Sequence, residues 1–346
     1  MNAYSIYRLP HEDHATLIRQ TDGEPMALHS LSELNGKQGF VLAPFEVNDH
    51  QPVLLIQGKY EKVSLPVIPS SCVEVQKGED SKDGPTSFYK IDFANYHSQL
   101  EADKFRKIVL ARCADEKLHG NIEPMELFYK ACAMYPRLFI ALVETEKSGC
   151  WLTATPEILL DGKANDWRTI ALAGTMKLKG DQLNGEGETL TWSTKNIQEQ
   201  RIVATYITEC LEQFTGNFRE EGPRTVRAAN LVHLRSDFTF KLDDNHHIGD
   251  ILSTLHPTPA VCGLPKREAF QFIVRNEHTP RRYYSGFMGP LGSTETHLYV
   301  SLRCMNIDGD TCHLYAGGGL LKDSTEEQEW LETEAKMETM RRLLYV

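Results

Sequence analysis

Short runs of β-type residues recur along almost the whole chain, and they constrain its fold more than any other feature. These runs are apolar or alternating, and they lie at 39–45, 52–57, 107–112, 138–144, 150–160, 169–178, 237–242, 283–289, 296–307 and 311–316. Helical periodicity is clearest at 124–134, 194–214, 265–275 and 324–343. Because these helices do not alternate strictly with the strands, the order of elements predicts an α+β fold with large antiparallel sheets.

The chain shows one clear shift in composition. The polar stretch 76–87 separates an N-terminal part, residues 1–90, from the motif-bearing part, residues 91–346. There is no internal repeat and no second shift in the sequence, so we expect a single domain over 1–346. The sequence contains no GxGxxG or Walker-type glycine loop, and so it does not support a dinucleotide or ATP site.

The charge and cysteine content exclude several classes of function. The chain has 37 Lys and Arg against 48 Asp and Glu, a net charge of −11. Nucleic acids and anionic membranes bind clustered cations, so we expect neither as a partner. The eight cysteines never approach CxxC spacing, which argues against a zinc site or a disulfide framework. No apolar run is long enough to span a membrane and the first residues do not resemble a signal peptide, so we expect a cytoplasmic protein.

The segment 194–214 places an acidic residue on its apolar side. Its apolar stripe consists of Val203, Tyr206, Cys210 and Phe214. Glu199 lies one turn before Val203 on the same stripe, so its carboxylate is expected to face the core.

The last predicted helix repeats this arrangement. Ser324 and Glu327 have the spacing of a capping box, which predicts the start of the helix. One face then carries Glu329, Glu332 and Lys336, followed by Met340 and Leu343. Because that face ends in apolar residues, it is expected to turn inward.

Acidic residues that face a core must be protonated, paired or bound to a metal, because an unpaired buried charge costs several kcal/mol. Three converging carboxylates with no Cys or His beside them favour Mg²⁺, a hard cation that prefers oxygen ligands. The alternative is a set of ordinary ion pairs, since Glu332 and Lys336 have the i, i+4 spacing of a common surface pair.

Two further features indicate a site for an anion. Gly317, Gly318 and Gly319 end a strand just before the last helix, where backbone N–H groups could approach an anion closely. On the run 296–307, strand alternation places Arg303 on the face opposite the apolar row. Its guanidinium would suit a carboxylate. A tight turn and an exposed surface arginine are the alternatives.

Lys107 and Glu157 are candidates for acid–base chemistry. Lys107 opens the apolar run 107–112, where burial could lower the pKa of its amine and allow it to act as a base. Glu157 follows a proline and precedes an apolar strand, where a carboxyl group could act as a general acid. The alternatives are a lysine whose amine reaches solvent and a simple charge at the end of a strand.

Taken together, these segments resemble the chorismate-utilising enzymes, and among them the isochorismate synthases. The motifs are FRKIVLAR (105–112), TPEILL (155–160), LAGT (172–175), STKNIQEQ (193–200), LVHLRS (231–236), LHPTPAVCGLPKREA (255–269), YYSG (283–286), VSLRC (300–304), YAGGG (315–319) and EWLETEAK (329–336). They keep the same order over the motif-bearing part, which is far more specific than any single motif. The resemblance implies a sandwich-like core of antiparallel sheets flanked by helices.

The resemblance also implies a reaction in which water attacks C2 of chorismate while the C4 hydroxyl leaves. Lys107 would be the base that activates the water, and Glu157 the acid that protonates the departing hydroxyl. Glu199, Glu329 and Glu332 would hold Mg²⁺ against the ring carboxylate. The implied substrate-binding residues are Gly174, Thr175, His233, Tyr284, Arg303, Gly317, Gly319 and Lys336.

Relatives on the same fold leave alternatives open. Salicylate synthases keep the equivalents of Lys107 and Glu157, so a second step that releases pyruvate is possible. Anthranilate synthases usually have Gln in place of Lys107, and aminodeoxychorismate synthases have Lys where Ala173 stands here. A non-catalytic protein that binds an aromatic carboxylate or Mg²⁺ is a further alternative, although a binder needs no acid–base pair.

Two positions depart from the family pattern, and some properties are expected only from the resemblance. Gln200 replaces the His that usually follows the metal-binding Glu, and Cys262 stands where Gly or Ser is common.

The chain contains no glutamine-amidotransferase motif, so we expect no ammonia-supplying subunit. We also expect a monomer or weak oligomer that contributes to menaquinone or siderophore synthesis.

Overall fold

The computed structural model describes residues 3–66, 85–118, 123–177, 191–228, 231–242 and 247–344. The polar stretch 76–87 lies outside the described residues as far as position 84. Its last residues lead into a helix, where the Thr86 hydroxyl accepts a hydrogen bond from the backbone N–H of Tyr89.

Within these ranges the chain forms six α-helices, four of which the sequence predicts. They are α1 (Ser87–Glu101), α2 (Pro124–Met134), α3 (Thr194–Leu211), α4 (Ile248–Leu255), α5 (Lys266–Asn276) and α6 (Glu326–Leu344), and a short 3₁₀ turn covers Leu31–Leu34. The sequence pattern misses α4 because its eight residues make only about two turns, too few for a 3.6-residue period to stand out, although Asp250, Ser253 and Thr254 form a polar side. It misses α1 because polar and apolar residues mix around that helix.

The strands form two antiparallel sheets, each with nine strands in the described part of the chain. The first sheet has the order β14 (Gly263–Leu264), β7 (Lys107–Lys117), β18 (Thr311–Leu320), β17 (Cys304–Asp308), β9 (Gly149–Thr155), β8 (Phe139–Thr145), β1 (Tyr4–Arg8), β2 (His14–Gln20), β6 (Gly58–Ser64). The second has the order β12 (Phe218–Ala228), β13 (Leu231–Lys241), β11 (Asp166–Lys177), β10 (Ile158–Lys163), β16 (Glu295–Val300), β15 (Phe287–Leu291), β4 (Gly39–Ala43), β5 (Val53–Ile56), β3 (Met26–Leu28). A turn at Gly309 joins β17 and β18 in an antiparallel hairpin.

The two sheets pack face to face and are covered by helices on their outer sides. Aromatic contacts join the inner faces, with Tyr7 against Phe40 and Phe139 stacked on Tyr299 at 4.3 Å between ring centroids. Helices α2 and α6 cover the first sheet, while α3 and α4 cover the second. This arrangement confirms the predicted α+β sandwich.

Two of the predicted strand runs are interrupted where the chain passes between the sheets. The run 150–160 breaks at Pro156 and Glu157, between β9 of the first sheet and β10 of the second. The run 296–307 breaks at residues 301–303, between β16 of the second sheet and β17 of the first. The breaks lie side by side, because Val300 N–H donates to Glu157 O at 2.9 Å. Each crossing therefore places one predicted site residue, Glu157 or Arg303, between the two sheets.

The crossing corrects the face assignment of Arg303. Simple strand alternation does not apply there, since Arg303 has a backbone φ of +44° in the left-handed region. The side chain is buried between the sheets, and the alternative of an exposed surface arginine is wrong.

The predicted capping box of the last helix is also wrong. Helix α6 begins at Glu326, two residues after Ser324. The Ser324 hydroxyl instead donates to Glu329 Oε1 at 2.7 Å and accepts from Leu321 N–H at 3.0 Å. The serine thus orients a buried carboxylate.

None of the helices in the described ranges is long and apolar enough to cross a membrane.

Candidate active site

A cavity lies between the sheets where the two crossings meet β11, β18 and helices α3 and α6. It is lined by Glu157, Gly174, Thr175, Glu199, His233, Tyr284, Arg303, Gly317, Gly319 and Lys336, all of which the sequence predicts as site residues. The remaining lining residues are Val109, Pro156, Leu172, Ala173, Ala260, Val261, Leu302 and Ala316. Of the other three predicted residues, Lys107 is paired with the lining residue Glu199 and Glu332 with the lining residue Lys336. Glu329 lies against Gly318, which stands between two glycines of the lining.

Glu157 is a carboxyl group with almost no access to solvent. Its side chain is 2% exposed. Burial raises the pKa of Glu157 to about 8, and the nearby cations Lys107, Lys336 and Arg303 offset only part of that effect. The group is therefore protonated at neutral pH and can donate a proton into the cavity.

Lys107 and Glu199 form a buried ion pair at the wall of the cavity. Lys107 is fully buried, and its Nζ lies 2.8 Å from Glu199 Oε1. Although burial alone would raise the pKa of Glu199, the charge of Lys107 holds it below its ordinary value. The other carboxylate oxygen, Oε2, accepts the Gly174 N–H at 3.1 Å.

Gly319 lies against this pair with no room for a side chain. A Cβ built at Gly319 would come within 2.3 Å of Glu199 Oε1 and 2.8 Å of Lys107 Cε. The glycine run at the end of β18 therefore lets the strand pass close to the ion pair.

The two acidic residues of α6 are also paired with lysines. Lys195 Nζ donates to Glu329 Oε1, and Lys336 Nζ lies 2.8 Å from Glu332 Oε1. Glu329 is 1% exposed and its Oε2 has no hydrogen-bond partner. Burial, with a further contribution from Glu332, raises the pKa of Glu329 to about 7.

Each of these carboxylates is paired with a lysine, as the ion-pair alternative expects, and one of their oxygens is left over as a candidate ligand for a divalent cation. Glu329 Oε2 is buried and has no hydrogen-bond partner among the described residues, although the other oxygen of this carboxylate is paired with Lys195. All donors are carboxylate oxygens, as Mg²⁺ prefers. Among the described residues, however, ligand atoms within 4.8 Å of one another occur at Cys113, Asp115 and His313, and the three glutamates are not drawn together to that extent.

Arg303 and His233 form an anion-binding corner on the other side of the cavity. His233 Nδ1 lies 3.2 Å from Gly174 O, and its Nε2 lies within hydrogen-bond distance of Arg303 Nη2. Burial and the charge of Arg303 hold the pKa of His233 well below its ordinary value. A neutral ring can therefore donate from Nδ1 to Gly174 and accept from Arg303 at Nε2. Arg303 Nη1 has no described partner and is free to bind a carboxylate.

Lys336 and Tyr284 complete the polar lining. Lys336 Nζ donates to Gly317 O at 2.7 Å. Burial would lower the pKa of Lys336, but Glu332 more than offsets it and the pKa is raised, so the amine is charged. The Tyr284 hydroxyl lies 2.8 Å from where a Cβ of Gly317 would stand. These groups place one cation and one hydroxyl at the glycine end of β18.

A profile of the family described as "Chorismate binding enzyme" matches residues 60–345. The chain belongs to this family. Its match covers most of the chain and contains every predicted site residue.

Named relatives within the family are isochorismate synthases. The chain is 31% identical over 240 residues to isochorismate synthase MenF of Escherichia coli, which covers 69% of this chain and 56% of MenF. It is 32% identical over 253 residues to the salicylate biosynthesis isochorismate synthase of Pseudomonas aeruginosa, which covers 71% of this chain and 52% of that protein. The matches thus span little more than half the length of these curated relatives.

A solved structure shows the same fold. The menaquinone-specific isochorismate synthase MenF from Escherichia coli superposes with a TM-score of 0.81 at 23% identity, and covers 99% of this chain and 89% of that one.

The two departures from the family pattern occupy structural positions. Gln200 is buried on α3, and its Nε2 donates to Ala171 O at 3.1 Å and to Ser236 Oγ at 3.3 Å. It therefore ties the helix that carries Glu199 to the second sheet. Cys262 is buried in an apolar cluster with α1 and α5, as expected of a residue that affects packing.

Sequence reasoning missed one charged residue of this candidate site. Lys195 lies within the STKNIQEQ motif and forms the ion pair with Glu329. It precedes Glu199 by four residues on α3, so both side chains share one face. This i, i+4 spacing from Glu199 is the sequence feature that could have identified Lys195.

Proposed function

We propose that this chain is an isochorismate synthase, an isomerase that converts chorismate to isochorismate. The observation that carries the proposal is that a candidate general acid, Glu157, and a candidate base, Lys107, lie at one enclosed cavity. Glu157 is a buried carboxyl protonated at neutral pH, while Lys107 is a buried amine held beside Glu199. A binding site for an aromatic acid would need neither.

The proposed reaction exchanges one C–O bond for another. Lys107, once its amine has given up its own proton to solvent, takes a proton from water as the water oxygen bonds to C2, the two ring double bonds shift, and the C4–O bond breaks. Glu157 gives its proton to the departing hydroxyl, which leaves as water. Atoms balance, because one water is consumed and one is released, and no oxidant or reductant is needed.

The remaining residues would hold the substrate, which carries two carboxylates. Arg303 Nη1, the Tyr284 hydroxyl and the backbone at Gly317 and Gly319 would bind the enolpyruvyl carboxylate. Lys336 would add a positive charge beside it. Gly174, Thr175 and His233, which line the cavity, would lie near the ring and the leaving hydroxyl.

We further propose that Glu199, Glu329 and Glu332 would hold Mg²⁺. Bound there, the cation would neutralise the ring carboxylate of chorismate. The buried and unpartnered Glu329 Oε2 supports this proposal.

The deciding experiment is incubation of the purified chain with chorismate and Mg²⁺, followed by chromatography of the products. We expect isochorismate as the main product and loss of turnover with EDTA. Salicylate and pyruvate would instead support a salicylate synthase, an outcome worth testing because the Pseudomonas relative is an isochorismate synthase of salicylate biosynthesis. Absence of turnover would contradict the proposal and favour a non-catalytic binding protein.

The rate is expected to fall as pH rises through about 8. The pKa of Glu157 is raised to about 8 by burial, so the acid form predominates below that pH and is lost above it. Because the proposed role needs the proton, kcat should follow the protonated fraction. The measurement is the pH dependence of kcat from 6 to 10 at saturating chorismate and Mg²⁺. A rate that stays constant to pH 10 would exclude Glu157 as the general acid.

Glu199→Gln is expected to raise the Mg²⁺ concentration needed for half-maximal rate by at least about tenfold, since a neutral amide is a poorer ligand than a carboxylate. Calorimetric Mg²⁺ binding should weaken in parallel. Glu338→Gln is the control, because Glu338 lies on α6 and pairs with Arg341 away from the cavity. Circular dichroism should confirm folding of both variants. An unchanged magnesium titration in the folded Glu199→Gln variant would rule out Glu199 as a ligand.

Three further properties stay predictions: a cytoplasmic location, a monomeric or weakly oligomeric state, and independence from an amidotransferase subunit. The elution volume in size-exclusion chromatography tests the oligomeric state. Turnover by the chain alone, without ammonia, tests the independence from an amidotransferase.

A further inference from the structure

A buried ion pair outside the cavity lining, Glu277–Arg281, contacts the strand that carries Lys107. Arg281 Nε lies 2.6 Å from Glu277 Oε2, and its Nη2 lies 2.7 Å from Oε1, a two-point carboxylate contact. Both side chains are at most 3% exposed. The Arg281 guanidinium also stacks on the Phe45 ring at 4.3 Å. This rigid pair takes no part in the proposed chemistry.

The side chains of Glu277 and Arg281 form hydrogen bonds with backbone groups of β7 where no described strand covers its edge. Strand β14 pairs with β7 only at Ile108 and Lys107, so the edge of β7 is not covered by a strand beyond that point. There, Arg281 Nη2 donates to Val109 O at 2.7 Å, and Glu277 Oε1 accepts the Ala111 N–H at 2.8 Å. These are the next backbone groups on that edge, which would otherwise lack partners.

The same guanidinium fixes a second wall of the cavity. Arg281 Nη1 donates to Val261 O at 2.6 Å. Val109 and Val261 both line the cavity, from β7 and from the segment before β14. One arginine therefore sets the spacing between two lining segments. Lys107 lies two residues before Val109, so both side chains point to the same face of β7.

We propose that Arg281, with Glu277, is a positioning residue for Lys107. The inference rests on the proposed function, because it assigns Arg281 a role in the step that Lys107 performs. Arginine suits this role, since one planar fork binds a carboxylate at two points and two carbonyls at once. A lysine at the same position would keep the charge but lose that geometry.

The test is Arg281→Lys, with Arg8→Lys as the matched control. Arg8 is an equally buried arginine whose fork donates to the backbone oxygens of Tyr135 and Pro136, away from the cavity. Arg281→Lys is expected to lower kcat by about 10²-fold, since small misplacements of a catalytic group cost about that much. Because Arg303 and Tyr284 are unchanged, KM should stay within about threefold. Arg8→Lys should lower the melting temperature without lowering kcat.

Hydrogen exchange supplies a measurement that does not depend on turnover. In Arg281→Lys, the amides of 107–112 should exchange faster, whereas those of β8 should not. If the wild-type chain has no activity, the proposed function fails. The exchange experiment still tests whether Arg281 holds the backbone of β7 in place. Equal kcat losses in both variants, an effect confined to KM, or unchanged exchange over 107–112 would overturn the inference. If Arg281→Lys does not fold, the same measurements on Glu277→Gln decide it, because that variant removes the charge but keeps an oxygen for Ala111.

Discussion

Replacing Lys107 with alanine is expected to lower kcat for chorismate by about 10²–10⁴-fold while the Kd for chorismate changes little. The amine is fully buried, and its Nζ lies 2.8 Å from Glu199 Oε1. Arg303, Tyr284 and Lys336 would still bind the substrate. The loss should therefore appear in the chemical step rather than in binding.

The measurement combines steady-state kinetics with calorimetric binding of chorismate. Removing one partner of a buried pair can cost about 3–5 kcal/mol of stability, so Lys107→Gln is a second variant that keeps hydrogen-bond donors for Glu199. Lys163→Ala is the control, since Lys163 is 77% exposed and pairs with Glu295 away from the cavity. A folded Lys107→Ala protein with near wild-type kcat would refute the base assignment.

The sequence predicts the class of fold because binary patterns report which face of an element is buried. It does not predict the two crossings, because β-type residues continue through each break. The run 150–160 reads as one strand, yet the chain changes sheet at Pro156 and Glu157. Which residues of a long apolar run leave one sheet for the other depends on the partner strands. Those partners are distant in sequence and invisible to local periodicity.

The location of the site is predicted better than its electrostatics. Ordered motifs bring ten of the predicted residues to the lining of one cavity. The ion pairs Lys107–Glu199 and Lys195–Glu329 join residues 92 and 134 positions apart, and helix spacing cannot reveal such pairs. The net charge of −11 also says little about the cavity, where lysines balance the acidic residues and Arg303 Nη1 has no described partner. A dianionic substrate can thus bind to an acidic protein.

Arg303→Lys is expected to raise the Kd for chorismate by about 10–100-fold, the value of one to two charged hydrogen bonds. The crossing at residues 301–303 holds the guanidinium between the sheets, and His233 orients it through Nη2. A lysine would keep the charge but could not contact His233 and a carboxylate with one planar group. Isothermal calorimetry of the variant measures the loss directly.

A substrate analogue that lacks the enolpyruvyl arm separates this contact from general damage to the site. If Arg303 binds the enolpyruvyl carboxylate, Arg303→Lys should weaken chorismate strongly and the analogue hardly at all, because the analogue has already lost the partner. Arg282→Lys is the control, since Arg282 donates to Asn306 and Ser148 outside the cavity. Equal weakening of both ligands would instead place the contact of Arg303 on the ring carboxylate. That result would remove the reason for proposing that a cation at the three glutamates would neutralise the same carboxylate.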